Sequence, residues 1–126
     1  MTNVQLLDDG GGSRMDAPAK AINRVLLMSL PVVMEAGDDY LADGHSFHLG
    51  LAYLAAMLRN NGFTVSILDC YAEDRHHVRG PAKNSWQELG LSNERIIERI
   101  RCFAPDLIGI TIPFSCQHYV AAALAQ

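Results

Sequence analysis

Cysteine is scarce in this 126-residue chain, and the three present, Cys70, Cys102 and Cys116, are odd in number and far apart. They form no Cys-x-x-Cys pair, so neither a disulfide framework nor a zinc ribbon is supported, and reduced thiols are expected. Basic residues are outnumbered: Lys and Arg total 10 against 14 Asp and Glu, a formal charge of −4. Phosphate backbones need a basic surface, so no nucleic-acid partner is expected. No apolar run reaches the ~20 residues that span a bilayer. The N-terminus lacks the charged-then-apolar pattern of a signal peptide. No membrane partner is therefore expected, and a cytoplasmic location is.

The usual chemical signatures are missing as well. The turn after the first apolar run holds no Gly-x-Gly-x-x-Gly, so a dinucleotide fold of the usual kind is excluded. Gly10-Gly11-Gly12 follows no strand and lacks the Gly-Lys-Ser/Thr ending of a phosphate loop. A nucleophile elbow, Gly-x-Ser-x-Gly, does not occur. A phosphoryl receiver needs an aspartate at the end of its third strand, where this chain has Thr111-Ile112-Pro113. His76 and His77 are adjacent, whereas metal ligands come at helical or strand spacing. No catalytic residue and no metal ligand is assigned, and whether the chain is an enzyme stays open.

What is present is a repeated alternation of short apolar runs and helical stripes. At this length the chain makes one domain at most. Met1–Asn23, with little apolar periodicity, reads as a flexible lead-in, and residues 24–126 as the folded part. Val25–Leu30 is a first strand, stopped by Pro31; Thr64–Asp69 is a second and Leu107–Ile112 a third. Runs that are apolar throughout are buried on both faces, the habit of parallel sheets. His48 to Gly62 reads as a helix with its stripe at Leu51, Leu54, Ala55 and Leu58 and its stop at Asn61-Gly62. Ser92 is a good N-cap for a second helix, with Glu94 in its first turn and a stripe of Ile96, Ile97, Ile100 and Phe103, ended by Pro105. Ser115 onward starts a third. Val32–Phe47 reads as a long connection of the kind that binds ligands, and Cys70–Leu91 as loop with one helical turn near Trp86.

The order β-α-β-α-β-α implies an α/β fold, a Rossmann-like (flavodoxin-like) parallel three-layer sheet. Three of the usual five strands are present, so the sheet reads as incomplete. The first strand should be central, in a 2-1-3 order, with the ligand beyond the carboxyl ends. Strand 107–112 would then lie at an edge and offer a template for self-association.

Three segments in register carry a family resemblance: Val25-Leu26-Leu27-Met28-Ser29-Leu30-Pro31; Leu49-Gly50-Leu51-Ala52-Tyr53-Leu54-Ala55-Ala56 running on to Val65; and Ala104-Pro105-Asp106-Leu107-Ile108-Gly109-Ile110-Thr111. Together they resemble the N-terminal cobalamin-binding domain of B12-dependent radical SAM enzymes. The resemblance implies a domain that cradles cobalamin over the strand ends and faces a radical SAM barrel. That barrel, with its iron–sulfur cluster and S-adenosylmethionine, belongs to a remainder that this chain does not contain. It implies cofactor-binding roles for Pro31, Asp43, His45, His48, Leu49, Gly50, Thr111 and Pro113. Asp43-Gly44-His45-Ser46-Phe47-His48 is similar to the Asp-x-His-x-x-Gly pattern whose histidine ligates cobalt in other B12 proteins. His48 replaces the glycine, so His45 is the candidate cobalt ligand in name and no cobalt–histidine bond is expected. A second resemblance, through Gly44-His45 and Leu49-Gly50-Leu51-Ala52, is to the N-terminal domain of GT-B glycosyltransferases.

Overall fold

A computed structural model describes residues 21–37, 48–80 and 86–126. Its elements in chain order are β1 (Arg24–Ser29), β2 (Val32–Glu35), α1 (Leu49–Asn60), β3 (Thr64–Asp69), α2 (Cys70–Glu73), β4 (Val78–Arg79), β5 (Trp86–Leu89), α3 (Asn93–Phe103), β6 (Leu107–Thr111), a 3-10 turn (Ser115–Gln117) and α4 (His118–Leu124). The lead-in before residue 21 lies outside the described residues. Among those described, no helix is long and apolar enough to cross a membrane.

β1 is apolar along its length because both of its faces are covered. Its alternate side chains divide between two cores, as the two-residue period of a strand requires. Leu26, Met28 and Leu30 pack with Leu68, Ile96, Val120 and Ala121. Val25 and Leu27 pack with Leu51, Ala55 and Val65. α1 therefore covers one face of the sheet, and α3 and α4 the other. The sheet order is β3-β1-β6, all parallel, which is the expected 2-1-3 arrangement. Among the described residues β6 pairs only with β1, and Leu107 and Ile108 on it are exposed.

The Pro105-Asp106 pair at the entry to β6 has a structural task. Asp106 Oδ2 accepts hydrogen bonds from the backbone N–H groups of Asn23 and Arg24, each at 3.0 Å. Arg24 in turn donates to the carbonyls of Phe103 and Ala104, and its guanidinium lies 4.5 Å from the centroid of the Phe103 ring. These bonds satisfy the carbonyls at the end of α3, where Ala104 is left-handed at φ 49°, and they fix the amino ends of β1 and β6 side by side. At the start of α3, Ser92 Oγ accepts from Arg95 N at 3.4 Å, as its N-cap pattern predicts. At the end of α1, Gly62 takes the left-handed turn at φ +87°.

Two connections prove to be ordered elements. Val32–Glu35 is a strand, not part of a long loop, and it pairs antiparallel with β5. Trp86 lies on β5, not on a helical turn, and β4 closes the other side of that strand. The resulting β2-β5-β4 sheet carries its own core of Met34, Tyr71 and Leu89. Strands of two to four residues are too short to leave a periodicity to read, and β2 finds its partner β5 only far along the chain, Glu35 against Trp86. Pro31 interrupts the pairing for only two residues before the chain re-enters a sheet. Two stripe assignments also change. Leu54 is 54% exposed and Ile97 38% exposed, because each lies at the flank of its helix and not over the strands.

Candidate ligand-binding site

The carboxyl ends of β1, β3 and β6 form a polar row. Ser29 and Thr111 are register partners, as are Ser29 and Asp69. Ser29 Oγ donates to Asp69 Oδ1 at 3.2 Å, and the same oxygen accepts from Ala72 N at 3.1 Å, capping α2. Asp69 is thus engaged in building the strand exit. Cys70, next to it, is wholly buried. Burial pushes its thiol up to about 12, and the carboxylates of Asp69 and Glu73 push the same way. Such a thiol stays protonated at neutral pH.

On the α1 face a cavity of about 680 Å³ opens beside this row. Leu27 lines it from β1, Gly109, Ile110 and Thr111 from β6, and His48, Leu49, Gly50, Leu51 and Leu54 from the start of α1. Its shape follows from two glycines. Gly109 sits opposite Leu27, and a Cβ there would come within 2.9 Å of Leu27 Cδ2, so the leucine can lie across the strand only because Gly109 lacks one. At Gly50 a Cβ would meet nothing within 4 Å, which leaves the first turn of α1 open.

α1 begins at this cavity with no capping bond from the side chain of its N-cap residue, His48, and with no acid in its first turn. The backbone N–H groups of Leu51 and Ala52 turn back to the His48 carbonyl at 3.0 and 3.3 Å. The helix therefore presents the positive end of its dipole, uncompensated by a carboxylate of its own first turn, to whatever occupies the cavity. Exposed apolar side chains stand at the start of α1 and after β6: Leu49 is 68% exposed and Phe114 63% exposed, with Ile112 exposed between Thr111 and Phe114. An apolar trough with a few polar groups at one end is the usual build of a small-molecule site.

His48, Leu49, Gly50 and Thr111 are brought together around this cavity. Pro31 is wholly buried at the β1 exit and does not line it, and Pro113 is exposed beyond β6 and does not line it either. Asp43 and His45 lie outside the described residues. Leu27, Leu51, Leu54, Gly109 and Ile110 line the cavity and were not among the expected site residues. Only Gly109 carried a signal, as a glycine inside an otherwise branched strand.

Residues 41–126 match a family model described as the B12 binding domain. The cytidylyl-2-hydroxyethylphosphonate methyltransferase of Streptomyces wedmorensis is 39% identical over 74 residues, which are 57% of this chain and 14% of that relative. This chain thus spans a small part of the relative it matches. No solved structure gives a significant match. Of the two resemblances in the sequence, the match agrees with the cobalamin-binding one.

Proposed function

Since this chain belongs to the B12 binding domain family, we propose that it holds cobalamin over the carboxyl ends of β1, β3 and β6 with the nucleotide tail in the α1–β6 trough. The observation that carries this is the trough itself: about 680 Å³, floored by Leu27 over Gly109, opening at the amino end of α1. The volume lies within the ~300–1,000 Å³ of small-molecule sites. The tail has a flat apolar base, which suits the Leu27 and Leu54 walls, and a phosphodiester, which suits the first backbone N–H groups of α1 at Leu49 and Gly50. Thr111 supplies a hydroxyl at the mouth, and Leu49, Ile112 and Phe114 supply apolar surface for the corrin. When bound, cobalamin supplies a cobalt centre for group transfer. This chain's residues orient it and exclude water from its tail. Residues 24–126 act in this reading as one cobalamin-holding unit.

The parent activity is a methyl transfer whose chemistry lies outside this segment. The relative from Streptomyces wedmorensis is named as a methyltransferase, which supports that reading. The resemblance to radical SAM enzymes supports a partner barrel that carries an iron–sulfur cluster and S-adenosylmethionine.

Titration of the protein with hydroxocobalamin, followed by its visible spectrum, tests the proposal. A spectral change that saturates at one equivalent is expected. Cobinamide, which lacks the nucleotide tail, should bind at least about tenfold more weakly. No spectral change at roughly 100 µM of each partner would overturn it. Equal affinity for both ligands would move the tail out of the trough.

A further inference from the structure

Gln117 closes the turn between β6 and α4, and only 5% of it is exposed. Its Nε2 donates to the Pro31 carbonyl at 3.1 Å, a buried bond between residues 86 apart in the chain. Its Oε1 is also buried and has no hydrogen-bond partner. The amide is therefore half satisfied. An unsatisfied buried acceptor is costly, whereas an apolar side chain of the same length would lose one bond and remove the orphan. For stability alone the two choices roughly offset. What the amide adds is position. It joins the exit of β1 to the exit of β6 at the carboxyl edge of the sheet. The same turn is closed by Gln117 N donating to the Phe114 carbonyl at 3.0 Å, three residues after the cavity-lining Thr111. Pro31 leads directly into β2.

We infer that Gln117 is a positioning residue for the ligand site: through the Pro31 carbonyl it sets where β2 and the Phe114 turn stand at the rim of the sheet. The inference rests on the cobalamin reading above for its functional consequence. The bond itself does not depend on that reading.

Three forms of the protein test it: wild type, Gln117→Met and Gln117→Glu. Gln117→Met should melt within about 2 °C of wild type, since lost bond and removed orphan offset. It should bind cobalamin about tenfold more weakly. Gln117→Glu should bind as wild type near pH 5, where a protonated acid can donate to Pro31 as the amide does. It should lose about tenfold near pH 8, where a carboxylate faces that carbonyl. Wild type measured over the same range accounts for the other titrating groups around the turn, Glu35 on β2, Glu88 on β5, and His118 and Tyr119 on α4. Two results would overturn the inference: Gln117→Met binding as tightly as wild type, or melting temperature and affinity falling together with no recovery of Gln117→Glu at low pH. If wild type itself binds no cobalamin, the site proposal fails and the latch is read alone by amide hydrogen exchange. Faster exchange at Val32–Met34 in Gln117→Met, at equal melting temperature, supports it, and unchanged protection there overturns it.

Discussion

On one face of the β3-β1-β6 sheet, Leu26, Met28 and Leu30 meet Ile96 of α3 and Val120 and Ala121 of α4, with Met28, Leu91 and Ile96 wholly out of water. On the other face Val25 and Leu27 meet Leu51 and Ala55 of α1, and a cavity opens where that helix begins. The packed side is also cross-braced by charge. Arg95 reaches Asp74 and Arg99 reaches Glu73, both at 2.6 Å, so α3 is tied to the α2 segment that leaves β3. These pairs are half exposed and contribute little stability each, but they set the angle of approach. The same alternating strand thus feeds two cores, and a cavity opens only where α1 begins, at the carboxyl end of one of them.

The sharpest way to break this contrast is to cut into each face. Ile96→Ala empties a site with no exposure at all and should cost about 3–4 kcal/mol, read as a shift of the urea midpoint at unchanged slope. Leu54→Ala, at the cavity wall, should cost under about 0.5 kcal/mol in the same experiment, because that side chain is already largely in water. If the two variants lose similar stability, the open face carries as much of the fold as the packed one and the division fails.

A smaller effect sharpens the same division from the cavity side. Gly109→Val places a branched side chain where even a Cβ would come within 2.9 Å of Leu27. Leu27 Cδ2 is the end of a flexible side chain and can swing away, so stability should fall by only about 1 kcal/mol. The displaced leucine then fills the trough, and cobalamin affinity should drop about tenfold while cobinamide binding stays nearly unchanged. An equal loss for both ligands would mean that the valine perturbs the whole strand and not the trough.

How much of this was legible in the sequence depends on the range of the interaction. β1, β3 and β6 announced themselves because each is a continuous apolar run, and their order follows from general rules for parallel sheets. Ser92 and Gly62 marked helix ends through bonds made within a few residues. The β2-β5-β4 sheet was illegible because its strands are short and its pairings, such as Glu35 with Trp86, are distant in the chain. At the site, His48, Leu49, Gly50 and Thr111 came from the family pattern. Leu27 and Leu54 did not, because nothing in an apolar residue's identity says whether its helix covers it. Gln117 was silent for another reason. A glutamine at a helix start looks like surface until the topology puts it against Pro31.

A further effect lies at the border between the two regions, where β3 ends and α2 begins. Cys70 belongs to the packed core, and its thiol is held at about 12 by burial and by the nearby Asp69 and Glu73 carboxylates. In the unfolded chain the same thiol titrates near 9.0. A folded-state value above the unfolded one means that the folded state keeps its proton while the unfolded state releases it. The contribution is therefore fully present below pH 9 and is lost as pH rises from there toward the folded value. Between about pH 8 and pH 9.5 wild type should lose stability, on the order of 1 kcal/mol, relative to Cys70→Ala, measured as the difference in how each protein's unfolding free energy changes with pH. Other groups titrate in this range, and the subtraction removes them. Thiol labelling read by peptide mapping gives a second view. Cys102, on the exposed flank of α3, should react with an alkylating reagent at pH 8, and Cys70 should react only after denaturant is added. Parallel pH slopes in the two proteins, or ready labelling of native Cys70, would mean that solvent reaches the β3 exit and that the packed face stops short of the strand ends.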